Sequence, residues 1–396
     1  MTTLPPFVRT ILQTLETAGH AAYLVGGPVR NIVMGTPPED WDIATDATPD
    51  TVQILFPKTI PTGLRHGTVT VVTDGGRAEV TTFRRDGTYT DHRRPEQVNF
   101  VTGLEEDLAR RDFTINAMAL DLRGVLTDPF DGKADIAAGR IRAVGDPAIR
   151  FTEDALRMFR AFRFSAQLGF VIDSAIMTAI RAKNHLAQHL SAERVRDELE
   201  KILLSDLPER LAEFFVSDLL TGYAASGHPP PLLQQIGQVP AQKHLRWTAF
   251  AAILAEGGAI ASPEAFLKAL RLDNKTISIA ATGATLAPRL STDAVKLKRL
   301  LAHHGEKPLI CAAAVAALFG TPSVPDTLNT IRHSGDCYSL ETLAITGADL
   351  IAANLAAPGP ALGTVLARLL DHVIMHPSEN KRDTLLALAA QCRRNA

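Results

Sequence analysis

The sequence predicts an α+β protein in which a mixed-sheet head is followed by an all-helical neck, body and tail. Two observations carry this. Between residues 20 and 83, short β-type runs alternate with glycines and prolines. From Thr152 onward, apolar residues recur at helical spacing almost throughout. The change of period puts a boundary near residue 145. A second falls in the loop-like stretch Gly222–Pro240, where Gly227-His-Pro-Pro-Pro231 interrupts the pattern. The expected organisation is a head at 1–145, a neck at 146–221, and a body and tail at 222–396, which a chain of 396 residues can accommodate.

In order, residues 1–20 read as an amphipathic helix with Phe7, Ile11, Leu12 and Leu15 on one face. Strands are expected at Ala22–Val25, Trp41–Ile43, Thr68–Val72 and Ala78–Phe83. Helices are expected at 152–168, 173–186, 191–205 and 208–220, and the Ala/Leu-rich sequence beyond Pro240 continues helical. Apolar residues at 46% and charged residues at 21% suffice to bury several cores. The formal charge of −2 means that any nucleic-acid contact must come from local basic patches. Cys311, Cys337 and Cys392 lack metal-ligand spacing, which argues against zinc and a disulfide scaffold. No signal-peptide pattern and no bilayer-length apolar run is evident, so a cytoplasmic protein is expected.

The first chemical motif is Leu24-Val-Gly-Gly-Pro-Val-Arg-Asn31, followed by Gly35 and Glu39-Asp-Trp-Asp-Ile43. Gly26 and Gly27 let backbone approach a ligand closely, and the start of the helix that follows suits phosphate, with Arg30 adding a charge-assisted contact. Asp40 and Asp42 alternate on a predicted strand, so both carboxylates should share a face and hold a cation such as Mg²⁺. Taken alone, Asp-x-Asp is common and reads better as two solvated acids at a strand end. The upstream Gly-Gly-x-x-Arg turns the reading towards metal-assisted phosphoryl transfer.

Gly-Gly-x-x-Arg followed by Asp-x-Asp resembles the polymerase-β-like nucleotidyltransferases. Arg110-Arg-Asp-Phe-Thr-Ile-Asn-Ala-Met-Ala119 narrows the resemblance to the class II family of CCA-adding enzymes and poly(A) polymerases. It continues through Asp128-Pro-Phe-Asp-Gly132, Gly145-Asp-Pro147, Arg150–Arg157, Arg160, Arg163 and Ala192-Glu-Arg-Val-Arg-Asp-Glu-Leu199. One departure is Asn31, where the family usually has Asp. The resemblance implies a nucleotidyltransferase head, Mg²⁺ at Asp40 and Asp42, and a third carboxylate at Glu79, which could otherwise be an edge-strand surface acid. It places Arg111, Asp112 and Asn116 on the sugar and phosphates, although Asp112 could also be a helix N-cap. If that segment is helical, Asp112 and Asn116 share a face.

The resemblance also implies a base-reading role for Asp154 and Arg157, with Arg160 and Arg163 near the nucleotide. At i and i+3 on one helix they would project together. A carboxylate accepts and a guanidinium donates, which suits the amino group and adjacent ring acceptor of cytosine and adenine but not uracil or guanine. On local grounds Asp154 could equally complement a helix dipole after Thr152. The loop Arg84–Pro95 resembles the family segment used in switching from C to A addition. Ile345-Thr-Gly-Ala-Asp-Leu350, Pro358-Gly-Pro360 and Gly363 resemble the tail of CCA-adding enzymes, which supports the tRNA body. The implied function is addition of C, C and A from CTP and ATP to tRNA. The alternatives are a poly(A) polymerase, disfavoured by the weakly basic tail, and a partial CC- or A-adding enzyme.

Overall fold

The computed structural model describes residues 4–86, 98–225 and 227–394. The chain forms two compact units, Met1–Gly222 with Ser226–His228, and Tyr223–Ala225 with Pro229–Ala396.

The first unit begins with helix α1 (Pro6–Thr17), whose buried stripe is Val8, Ile11, Leu12 and Leu15. Strand β1 (Ala22–Val25), helix α2 (Gly27–Met34), strand β2 (Asp42–Thr45) and helix α3 (Pro49–Leu55) follow. Strands β3 (Thr59–Gly63), β4 (Thr68–Thr73) and β5 (Gly76–Thr82) come next, then the short antiparallel pair β6 (Arg84–Asp86) and β7 (Val98–Phe100). The rest of the expected 84–95 loop lies outside the described residues. Helix α4 (Leu104–Ala109), strands β8 (Ala119–Leu120) and β9 (Leu126–Thr127), helix α5 (Gly132–Ala137) and strand β10 (Arg140–Ile141) complete the head.

The sheet runs β3-β4-β5-β2-β1-β8-β9. It is mixed because β2 pairs with β5 in parallel while its other pairings are antiparallel. Alternation divides its two faces. Leu24, Ile43, Val69, Val71 and Val80 pack with the apolar stripe of α1, while Val25 and Ala44 join Phe83, Leu108 and Ala119 in a second cluster.

Helix α6 (Pro147–Glu153) is capped by Asp146, which accepts from the Ala148 N–H. Helix α7 (Leu156–Leu168) ends at Gly169, in the left-handed conformation at φ 71°. The continuous helix expected over 152–168 is therefore two helices. Asp154 adopts φ −139° and ψ 105°, and its side chain accepts the N–H of Leu156, opening a new helix start. Strand β11 (Val171–Ile172) pairs in parallel with β10. Helices α8 (Ser174–Lys183), α9 (Ala192–Leu203) and α10 (Leu211–Val216) follow. Phe214 of α10 meets Phe159 and Phe162 of α7 at centroid distances of 5.3 and 4.5 Å, closing this core.

The second unit is helical: α11 (Lys243–Glu256), α12 (Pro263–Ala269), α13 (Asn274–Leu286), α14 (Ala294–His304), α15 (Glu306–Ala316), α16 (Val324–His333), α17 (Gly347–Ala352), α18 (Pro360–Met375) and α19 (Arg382–Arg394). The stretch expected as a loop at 222–240 contains a 3-10 run, Pro231–Gln238, because Leu233 and Ile236 reach the core. Helix α11 buries every residue from Leu245 to Leu254. It approaches α13 so closely that a Cβ on Gly283 would come within 2.9 Å of the Thr248 methyl. Thr346 and Asp349 form a reciprocal capping box on α17. No described helix is long and apolar enough to cross a membrane.

Candidate active site

The site begins where β1 ends. Gly26 has φ 73°, and a Cβ there would meet Arg111 Nη1 at 3.2 Å and Asp42 Oδ2 at 3.5 Å. A side chain would fill the space between the strand end and those charged groups, so glycine keeps the cleft open. One turn into α2, Arg30 donates from Nη1 to Asn116 Oδ1 at 2.8 Å and from Nε and Nη2 to Asn31 Oδ1 at 3.2 and 3.0 Å. Asn31, the departure from the family pattern, thus orients Arg30 as an uncharged amide. Burial, then repulsion from Arg163, pushes the Arg30 guanidinium down to about 10.

Asp42 is the first residue of β2, and its register partner is Glu79 on β5. The expectation that Asp40 lies on the same strand is corrected: β2 starts at Asp42 and Asp40 sits in the exposed bend before it. The three acids nevertheless line one cavity of about 360 Å³. Strand β5 lies between β4 and β2, so Glu79 is not on an edge strand. Alternation on β5 buries Ala78 and Val80 and turns Glu79 outward. Burial, then repulsion from Glu79 and Asp40, raises the Asp42 carboxyl to about 6.

An under-neutralised group of acids of this kind fits a cation. Among the described residues no three His, Cys, Asp or Glu side chains are grouped so as to hold a metal ion by themselves. An open site is what Mg²⁺ takes when it keeps waters and shares phosphate oxygens.

The condition under which Asp112 and Asn116 would share a helix face is not met, because the Arg110–Ala119 segment forms no α-helix beyond Arg110. The segment turns through a 3-10 run at Thr114–Asn116, because its groups bond to distant partners. Asp112 is not an N-cap: its Oδ1 accepts the Phe113 N–H, and its Oδ2 receives Arg160 Nε at 2.6 Å. Arg111 pairs with buried Asp107 at 3.1 Å and Arg110 with the same carboxylate at 2.8 Å. Burial alone would raise the Asp107 carboxyl, but the charges of Arg110 and Arg111 outweigh it and hold the group below its ordinary range. Asp135, fully buried, accepts from Thr114 at 2.6 Å and pairs with Arg140 and Arg142.

Asp154 and Arg157 do not stand at i and i+3 on one helix, since α6 ends before Asp154. They occupy one turn: Asp154 O accepts the Arg157 N–H. Their side chains have separate partners. Asp154 Oδ2 meets Arg194 Nη2 at 2.8 Å, while Arg157 pairs with Glu153 at 2.6 Å and donates to the Arg110 carbonyl at 2.9 Å. The guanidinium groups of Arg30, Arg160 and Arg163 stand 5.3, 5.4 and 4.0 Å from the Phe164 ring centroid.

These elements enclose a cavity of about 470 Å³. Gly26, Gly27, Arg30 and Asp42 line one part, Arg111, Asp112 and Asn116 another, and Asp154, Arg157, Arg160 and Arg163 a third. Asp42 also borders the acidic cavity, whereas Asp40 and Glu79 line only that one. Among the lining residues are eight arginines and three aspartates, a strongly cationic balance suited to a polyphosphate.

Sequence reasoning placed Arg84 only within the 84–95 loop and assigned no role to Arg110, Phe164 and Arg194; all four line the cavity. Asp107 and Glu198, also unassigned, pair with its arginines, Arg110 and Arg111 in the first case and Arg163 in the second. The spacing of Arg194 and Glu198, four apart in a helical stretch, was the available signal for a shared face.

The chain matches known proteins over most of its length. Residues 22–142 match the family model described as the poly A polymerase head domain. Residues 169–221 match the probable RNA and SrmB-binding site of polymerase A, and residues 240–389 a putative tRNA nucleotidyltransferase domain 2. The CCA-adding enzyme of Lactiplantibacillus plantarum is 38% identical, over 96% of this chain and 95% of its own length. That of Geobacillus kaustophilus is 39% identical, over 97% and 96%. The chain belongs to the family of CCA-adding enzymes, which are nucleotidyltransferases. Within that family, the crystal structure of the Bacillus stearothermophilus enzyme in complex with CTP superposes with a TM-score of 0.84 at 33% identity, covering 99% of both chains. The Thermotoga maritima CCA-adding enzyme complexed with tRNA shares the fold, with a TM-score of 0.67 at 18% identity. Nucleotidyltransferases of this kind generally use divalent metal ions.

Proposed function

We propose that this member of the family adds C, C and A, from CTP and ATP, to the 3′ end of tRNA without a nucleic-acid template. The observation that carries the reading is that Asp42 belongs at once to the acidic cavity and to the arginine-lined cavity that holds Asp154 and Arg157. A reacting phosphate and a base can therefore be held side by side.

The tRNA 3′-hydroxyl attacks the α-phosphorus in line, the bond to the β,γ-phosphates breaks, and pyrophosphate leaves. Asp40 and Asp42, with Glu79 assisting, would hold Mg²⁺, which when bound would supply Lewis acidity at the phosphate and favour loss of the hydroxyl proton. Gly26 and Gly27 admit the triphosphate against backbone, and Arg30, clasped by Asn31 and Asn116, neutralises charge on the leaving group. Arg111, Asp112 and Asn116 orient the sugar and phosphates, while Arg160 and Arg163 close the cationic wall.

Asp154 accepts from the exocyclic amino group of cytosine or adenine and Arg157 donates to the adjacent ring nitrogen; uracil and guanine leave both unpaired. In this reading residues 1–145 are the catalytic head, 146–221 the neck that carries the base template, and 222–396 the body and tail that hold tRNA. The cytoplasm is the expected compartment, in keeping with free, buried Cys311 and Cys337.

The test is an extension assay on tRNA ending at the discriminator base, with CTP, ATP or both. Addition of three residues with both nucleotides, and two with CTP alone, is expected. Long A tracts, or a stop after CC when ATP is present, would replace the reading by polyadenylation or partial addition.

A further inference from the structure

We infer that Arg194 is a specificity-determining positioning residue, fixing the direction in which the Asp154 carboxylate faces an incoming base. The inference rests on the reading of Asp154 as the carboxylate that accepts the base amino group. Arg194 Nη2 lies 2.8 Å from Asp154 Oδ2, and the other oxygen, Oδ1, accepts the Leu156 N–H at 3.0 Å. The terminal torsion of an aspartate is soft, so a carboxylate held by one oxygen can still swing. Held by both, it lies in one plane. Each oxygen offers about two acceptor sites, so both anchors can persist while a free lone pair takes an amino hydrogen.

The placement of Arg194 is not explained by its helix. It stands in the first turn of α9, at the positive end of the helix dipole, where a cation is disfavoured. The pair with Asp154 offsets that placement. The position is braced one turn later, where Glu198 of α9 pairs with Arg163 of α7 at 2.6 Å. The remaining Nη1 of Arg194 is buried without a hydrogen-bond partner, on a side chain that lines the nucleotide cavity.

A guanidinium only donates. Behind Asp154 it aims an acceptor at the base; with Asp154 removed, it would offer donors to the carbonyl oxygen of uracil or guanine. The pair therefore sets the sign of the selectivity as well as its size.

The test uses the full chain and kcat/KM for CTP, ATP, UTP and GTP, with thermal melts, for Arg194→Ala, Arg194→Lys, Asp154→Ala and the D154A/R194A double variant. Arg194→Ala should lower the CTP-over-UTP and ATP-over-GTP ratios about ten-fold, the value of one charge-assisted hydrogen bond. Arg194→Lys should recover part of the ratio. Asp154→Ala should raise the use of UTP and GTP, and adding Arg194→Ala should remove that gain. Should Arg194→Ala fail to fold, Arg194→Gln takes its place. If the Arg194 variants lower all four nucleotides in proportion, or change none, while Asp154→Ala shifts the ratios, the inference falls and the base reading stands. If Asp154→Ala leaves the ratios unmoved, the base reading falls and takes the inference with it.

Discussion

Asp42, at the first position of β2, and Glu79, on β5, are register partners across the parallel pairing of the seven-stranded sheet, so two acids share one face beside exposed Asp40. Burial, and then their mutual repulsion, keep the Asp42 carboxyl up at about 6.

Asp42→Asn should therefore abolish nucleotide transfer yet stabilise the metal-free fold. With a folded pKa above the unfolded one, the native state holds an extra proton between about pH 4 and pH 6, and stability falls as pH rises through that window. Removing the charge should gain on the order of 1–3 kcal/mol at pH 7 and nothing below about pH 4. Thermal melts of metal-free wild type and variant across that range check it; an unchanged difference with pH refutes it. Asp40→Ala should also abolish transfer, with stability moved by less than ~0.5 kcal/mol because the side chain is exposed.

Glu79→Gln keeps shape and loses charge. Turnover should drop by roughly 100-fold or more, with little change in Tm because the side chain is outward on β5. Steady-state kinetics near wild type would make Glu79 a bystander.

Asp107→Asn should be costly in a different way. The carboxylate is 1% exposed and holds both Arg110 and Arg111. Leaving that pair without its counter-charge should cost about 3 kcal/mol or more and raise KM for CTP by ~10-fold through loss of Arg111 alignment. Because the Asp107 carboxyl lies below its ordinary range, its contribution is present above about pH 4 and lost as pH falls further. Denaturant titrations of wild type and variant at pH 7 and in acid test both parts, and equal stabilities at pH 7 would rule the role out.

Arg157→Ala removes a nearly buried guanidinium that also ties Glu153 to the Arg110 carbonyl. Stability should fall by about 2–4 kcal/mol and selectivity for CTP and ATP by roughly ten-fold. Combined with Asp154→Ala, the selectivity loss should be less than additive, because both read one base edge. Full additivity would assign them separate tasks.

Truncation before residue 340 should weaken tRNA binding far more than CTP binding. Every residue lining the two site cavities lies at or before Arg194, while the buried cluster at Leu350, Leu369, Val373 and Leu385 is lost. Filter binding of both ligands decides it; a parallel fall in CTP affinity would count against the division of labour.

Much of this was legible in the residues. Alternation gave β1 and most of β4 and β5, and helical spacing gave α1 and α7–α10, since those patterns are what burial on one face requires. The break at Asp154 was not legible. Thr152-Glu-Asp-Ala-Leu-Arg157 has good helical character throughout, and what ends α6 is a local carboxylate bond to Leu156, reinforced by Arg194 forty residues away. The turn at Thr114–Asn116 was hidden for the same reason: Arg160 takes Asp112, Asp135 takes Thr114, and the Arg142 carbonyl takes the Thr114 N–H. Strand β3 contains Pro61, and β8 and β9 have two residues each, too short for a period to register. The position of Asp40 before β2 is a boundary of one or two residues, the least certain quantity in a sequence.

The two asparagines that clasp Arg30 have a wider consequence. An amide aligns a guanidinium without cancelling its charge, so Arg30 stands beside Phe164 with only amide partners, repelled by Arg163 and Arg160, whose own charges are matched by Glu198 and Asp112. The polyphosphate then acts as the missing counterion of the fold. Recognition would proceed in two stages, with charge deciding residence and the base edge deciding reaction. Any triphosphate, correct or not, would be a tenant of the cleft, and fidelity would rest on how seldom the wrong tenant is used.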